Sequence, residues 1–139
     1  TSLPGPFGVG SLGRDARGWI DFLAAAGQRL WQVMPLGPTG YGDSPYQCFS
    51  AFAGNPYLIN LERLAEQGLL EPEDLAGAPD FSERSVDYGA VIPHKLALLT
   101  RAFARFRDRQ DPAQLERLAA FRAAQKDWLG DFALFMALK

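Results

Sequence analysis

Cys48 and His94 are each the only residue of their kind in the 139-residue chain. A zinc site built from cysteines and histidines therefore has too few ligands. A Cys48–His94 nucleophilic pair is formally available, but a small cysteine in a loop and a histidine at a helix start read as structural. Gly8-Val9-Gly10-Ser11-Leu12-Gly13 has the GxGxxG spacing of a phosphate-cradling loop. That chemistry calls for a strand before the glycines and an acid about 20 residues beyond them. No strand is visible ahead of Gly8, and residues 29–40 contain no acid. No cofactor is expected.

Carboxylates give the next test. Retaining glycosyl transfer uses two carboxyl groups about 5–5.5 Å apart. Asp43 is the only acid between residues 22 and 61, so it reads as a turn residue rather than a nucleophile. What remains is aromatic. Tyr41, Tyr46, Phe49 and Phe52 fall in a stretch that also holds Pro38, Gly40, Gly42, Pro45, Gly54 and Pro56. Glycine and proline fix the backbone, so rings in such a loop are presented at defined positions. Sugars have an apolar C–H face and a polar rim, which suits a tyrosine ring with its hydroxyl. Phe49 and Phe52 read as core. For Tyr41 and Tyr46, with Ser44 between them, composition alone leaves sugar stacking and an ordinary surface role equally open.

The elements that must position this loop follow from periodicity. Ala16, Trp19, Ile20 and Leu23 share one helical face, and Gly27 fits the left-handed position that closes such a helix. Leu30-Trp31-Gln32-Val33-Met34-Pro35-Leu36 is short, mostly apolar and bounded by Gly and Pro, as a strand buried on both faces would be. If that strand belongs to a β/α barrel, the loop after it lies at the C-terminal face, where barrel active sites are built. Tyr57-Leu58-Ile59 reads as extended. Asn60 can cap a helix over Leu61, Leu64 and Ala65 that ends at Gly68. Residues 70–90 read as turns. Ile92, Leu96, Leu99, Phe103 and Phe106 repeat at 4, 3, 4, 3, predicting a helix with Pro93 in its first turn. Asp111-Pro112 offers a cap and first-turn proline for another. A break falls between Ala123 and Asp127, and Asp131 to Lys139 forms a last amphipathic helix without a stop signal.

Composition supports a division near residue 60. Ten of the 14 glycines and six of the 10 prolines lie in residues 1–56, whereas residues 61–139 carry 11 Lys/Arg and 13 Asp/Glu. The expected class is α/β: residues 1–60 start a barrel and its binding loop, and residues 61–139 form a mostly helical subdomain. No run of about 18 apolar residues exists for a membrane span. With a net charge of −2 and no basic stripe, nucleic acid is not an expected partner. A lone cysteine fits a reducing, cytoplasmic setting. Residue 1 is Thr and the last helix is open-ended, so the chain is expected to be a segment of a longer one.

Four blocks then resemble a known family. They are Thr1-Ser2-Leu3-Pro4-Gly5-Pro6-Phe7-Gly8-Val9-Gly10, Trp31 to Pro38, Gly40-Tyr41-Gly42-Asp43-Ser44-Pro45-Tyr46-Gln47, and Ser50-Ala51-Phe52-Ala53-Gly54-Asn55-Pro56. Together with Trp128-Leu129-Gly130-Asp131-Phe132-Ala133-Leu134-Phe135, they are similar to 4-α-glucanotransferases of the amylomaltase type. The resemblance implies a (β/α)8 TIM barrel with inserted subdomains, in which Leu30–Leu36 is the second strand. It implies transfer of α-1,4-glucan segments with retention, through acids lying beyond Lys139. On this chain it assigns binding alone. Tyr46 matches an aromatic against the sugar beside the cleaved bond, and Ser44 a neighbouring polar contact. Tyr41 and Tyr88 match a pair of aromatics at a second, non-catalytic groove. The implied partners are malto-oligosaccharides and the rest of the parent chain. The alternative is a self-sufficient carbohydrate-binding or helical interaction module without catalysis.

Overall fold

The longest element is a 22-residue helix, Tyr88–Arg109, on which the short helix at 61–66 and the turn at 56–58 pack. It belongs to a computed structural model that describes residues 2–139; Thr1, which opens the first family-like block, lies outside the described residues. Among the described residues six α-helices follow one another: α1 Arg14–Ala25, α2 Leu61–Glu66, α3 Pro72–Ala76, α4 Tyr88–Arg109, α5 Pro112–Ala124 and α6 Leu129–Leu138. Single 3₁₀ turns occupy Tyr41–Asp43, Pro45–Gln47 and Pro56–Leu58. No helix is long and apolar enough to cross a membrane among the described residues.

Local chemistry sets the helix ends. Behind α1, Gly27 takes φ +75°. Its N–H donates to Ala24 (3.0 Å) and that of Gln28 to Leu23 (2.9 Å), the paired bonds of a Schellman closure. Gly68, at φ +67°, repeats the closure behind α2: Gly68 donates to Ala65 (2.7 Å) and Leu69 to Leu64 (2.8 Å). Leu64 and Leu69 also meet in the core. Asp111 caps α5 by accepting from the Ala113 N–H at 2.9 Å.

Asn60 does more than cap. Its Oδ1 accepts from the Arg63 N–H at 2.8 Å, while its Nδ2 donates to Ser11 Oγ at 2.9 Å. One buried side chain thus starts α2 and ties it to the N-terminal loop. Asn60→Ala is expected to destabilise the full-length protein by about 0.5–2 kcal/mol, the usual range for a lost cap. The denaturant midpoint should fall with an unchanged slope; an unmoved midpoint would show that the cap contributes nothing.

The core joins the N-terminal loop to α2 and α4: Phe7, Leu61, Leu69, Leu70, Leu98 and Ala102 are buried together, with Leu64, Leu75, Leu99 and Phe106 packed against them. Arginines one turn apart on α4 hold the neighbouring chain. Arg101 and Arg105 both pair with Asp74 of α3. Arg105 donates to the Leu69 carbonyl and Arg109 to the Gln67 carbonyl, each at 3.2 Å.

Three expectations need correction. Leu30–Leu36 carries no ladder, and no strand occurs among the described residues. The α/β class is therefore not realised within them, and the fold they form is helical. A strand needs at least one partner strand to form a ladder, and among the described residues this segment has none: Leu30 is 91% exposed, and Val33, Met34 and Leu36 are exposed too. The exposed side of α1, with Trp19, Ile20 and Phe22, is likewise uncovered. The second correction concerns α4. It begins at Tyr88, where the Asp87 carboxylate accepts from the Ala90 N–H, so Pro93 sits in the second turn. The fully buried residues of this helix are Val91, Lys95, Leu98 and Ala102; of the apolar stripe, Leu99 and Phe106 pack at the core's edge, while Leu96 and Phe103 are exposed. Third, residues 56–58 form a 3₁₀ turn rather than an extended piece, and residues 70–90 include α3.

Candidate functional site

The stretch between Leu36 and Asn55 is closed at its base, where the Asn55 N–H donates to the Leu36 carbonyl at 2.7 Å. Within it the backbone is folded on itself. Phe49 donates to Pro38 (3.3 Å), Asp43 to Gly40 (3.2 Å) and Gln47 to Ser44 (3.3 Å). Gly40 is required by close approach, since a Cβ there would lie 2.0 Å from the Gln47 carbonyl oxygen. Gly42 and Asp43 turn the chain through two successive left-handed residues, at φ +62° and +56°. Asp is among the few residues that tolerate this region, which gives Asp43 a turn role.

Ser44 caps the next turn: its Oγ accepts from the Tyr46 N–H at 3.3 Å, and Pro45 opens the turn. The side chains thrown outward are the tyrosines, with Tyr46 73% and Tyr41 89% exposed. Ser50 accepts from both the Phe52 and Ala53 N–H groups at 3.1 Å, turning the chain back towards its base. The far leg leans on α6. The Phe49 ring lies 6.0 Å from Phe135, and Phe52 stacks on Trp128 at 5.8 Å. The Lys139 ammonium sits 3.2 Å from the Phe49 centroid. Phe49 and Phe52 are thus an exposed brace between loop and helix, not the core the sequence indicated.

Tyr88 opens α4 on the near side. Burial raises the pKa of its hydroxyl and that of Tyr57, and the Asp43 charge raises both further. Asp43 therefore acts electrostatically on both phenols, linking the Tyr41 turn with the start of α4. The other residues singled out by type are structural. Cys48 is half-buried, facing Gly37. His94 lies between Phe7 (6.3 Å) and Phe81 (5.5 Å), its Nε2 buried without a partner. Burial, then the neighbouring Lys95 charge, lowers its pKa. Gly8 serves that cluster rather than a phosphate, since a Cβ there would strike Phe81 and Val91. No group of three or more His, Cys, Asp or Glu is placed to hold a metal among the described residues.

Sequence reasoning overlooked Lys95. It is fully buried, and its Nζ donates to the carbonyls of Tyr57 (2.6 Å) and Ile59 (2.9 Å). The only signal was its place in a 4, 3, 4 spacing with Val91, Leu98 and Ala102, which a charged residue interrupts.

Comparison with known proteins assigns this arrangement to a family. A family described as 4-alpha-glucanotransferase matches residues 1–139. The 4-alpha-glucanotransferase of Thermus thermophilus is 58% identical over the whole chain, which covers 27% of that protein. The one from Synechocystis sp. is 54% identical, again over the whole chain and 28% of the relative. Among solved structures, an amylomaltase from Streptococcus agalactiae in complex with acarbose superposes with a TM-score of 0.90 at 38% identity, covering all of this chain and 28% of that one. The chain thus spans little more than a quarter of the length of these relatives. By sequence and by structure it belongs to the 4-alpha-glucanotransferase family.

Proposed function

We propose that this chain is the glucan-gripping part of a 4-α-glucanotransferase that moves α-1,4-linked segments between malto-oligosaccharides with retention of configuration. The observation that carries the reading is the loop itself. Two tyrosine rings stand exposed on a backbone held by its own hydrogen bonds, in a chain similar throughout to an amylomaltase solved with acarbose. Tyr46, with Ser44 beside it, stacks on the sugar next to the cleaved bond. Tyr41 and Tyr88 hold glucan at a second groove. A loop whose backbone is already held loses little backbone entropy when a sugar stacks on its rings.

Asp43, the lone acid of the loop, keeps its turn role. The family resemblance implies that the nucleophile and the acid/base carboxyl come from the rest of the protein. The first forms the glycosyl-enzyme. The second protonates the departing chain and then takes the proton from the incoming 4-hydroxyl. Leu30–Leu36, apolar and uncovered, becomes a strand of a TIM barrel when the remaining strands flank it. The loop that follows then stands at the barrel's C-terminal face, where substrate binds.

The test is maltotriose alone with the full-length protein. Glucose should appear together with chains longer than three units, because each transfer lengthens one molecule as it shortens another. Segment 1–139 by itself should release nothing. Hydrolysis without longer products would overturn the transferase reading. Glucan binding by the segment without any turnover by the full-length protein would favour a non-catalytic binding module.

A further inference from the structure

The loop that bears Tyr41 and Tyr46 has two stems. The first, Leu30–Leu36, is exposed. The second, Asn55 to Asn60, runs through a single 3₁₀ turn, with Leu58 and the two asparagines buried. The side chain that reaches the second stem from α4 is Lys95, at 0% exposure, donating to the Tyr57 and Ile59 carbonyls. Among the described residues no carboxylate pairs with it; the ion pairs are made by arginines. A buried ammonium without a counter-ion is costly. An apolar residue would pack at this position, as Val91 and Leu98 do on the same face, but it would leave two carbonyls facing the core without donors.

These two bonds sit next to the loop's closure. Tyr57, whose carbonyl Lys95 holds, donates its own N–H to the Asn55 side chain at 2.9 Å, and the Asn55 N–H closes the base on Leu36. The path from α4 to the base of the tyrosine loop is therefore a continuous run of hydrogen bonds. We propose that Lys95 is a positioning residue for the substrate loop: by clamping the Tyr57 and Ile59 carbonyls it fixes the stem from which Tyr46 is presented. It touches no substrate. The kinetic part of this inference rests on the proposed function; the clamp itself does not.

The test uses the full-length protein with Lys95→Met and Lys95→Gln, the latter keeping one donor. In the unaltered protein the Asn55 amide should exchange with deuterium as slowly as amides in the middle of α4. In Lys95→Met the amides of Asn55 and Tyr57 should exchange about tenfold faster or more, while those of Leu98 and Ala102 stay protected, as local opening requires. Lys95→Gln should fall between. Transfer from maltotriose should drop about tenfold in kcat/KM in Lys95→Met, and far less when Tyr46 is already alanine, because both changes then act through one ring. A fast-exchanging Asn55 amide in the unaltered protein would overturn the clamp without any variant. So would equal acceleration across α4 and the stem. Full multiplication of the two kinetic losses would overturn the link to Tyr46. If the unaltered protein shows no transfer, the proposed function fails, and exchange still decides the clamp.

Discussion

Replacing Tyr46 with alanine in the full-length protein should lower kcat/KM for maltotriose by roughly 5- to 150-fold, equivalent to about 1–3 kcal/mol of lost transition-state binding. The backbone gives reason to expect a clean loss of the ring. Pro45 sets the turn, the Tyr46 N–H is held by Ser44 Oγ, and the side chain stands 73% exposed. Truncation therefore opens no cavity and orphans no buried polar group. Tyr46→Phe should retain most of the rate if stacking dominates, and lose as much as alanine if the hydroxyl does the binding. Tyr41 provides the contrast. It is more exposed still, on the other side of the Gly42–Asp43 turn. Tyr41→Ala should spare turnover of maltotriose and shift the length of products made from long glucans. Equal losses on maltotriose from both alanine variants would mean that the two rings serve one site, and the assignment of two grooves would fail.

The sequence made the helix ends legible because their chemistry is local. Gly27, Asn60, Gly68 and Asp111 each act on groups within a few residues, and each does what its type allows. The buried face of α4 was not legible, for a reason of the opposite kind. Counting apolar residues favours Ile92, Leu96, Leu99, Phe103 and Phe106, yet the helix turns Val91, Lys95, Leu98 and Ala102 inward. The partners that let Lys95 lie inward are the carbonyls of Tyr57 and Ile59, 36 to 38 residues away in the chain, and no window along α4 can contain them. Leu30–Leu36 illustrates a third case. Its pattern records a burial that the described residues do not provide. The loop was legible as a rigid display of tyrosines from its glycines and prolines. The influence of Asp43 on Tyr88 was not, because it crosses 45 residues of sequence.

Between pH 8 and 10 the protein should grow more stable as pH rises, and Lys95 is the reason. Burial lowers its pKa from 10.5 to about 8. In that interval the unfolded chain holds a proton that the folded one has released, so the free energy of unfolding increases with pH. Carried through the whole interval the gain is about 3 kcal/mol. The clamp survives the change, since a neutral amine still has two N–H donors for the Tyr57 and Ile59 carbonyls. Above pH 10 the sign reverses. The phenols of Tyr57 and Tyr88 are raised by burial and then by Asp43, so the unfolded chain ionises first and stability falls. On the acid side, His94 is lowered by burial and then by Lys95. The unfolded chain accepts its proton first, and stability declines as pH drops below 6.5. Asp74 is held well below the usual carboxylate range by the Glu71 N–H first and then by Arg105, which adds a loss below pH 3.8. Denaturant midpoints measured from pH 5 to 11 should therefore peak near 10. Lys95→Met should flatten the alkaline rise, leave the fall above pH 10 in place and weaken the decline below 6.5, because the charge that helps depress His94 is gone. An undiminished alkaline rise in Lys95→Met would place the responsible proton on another group, and the ammonium could no longer be regarded as strained by its burial.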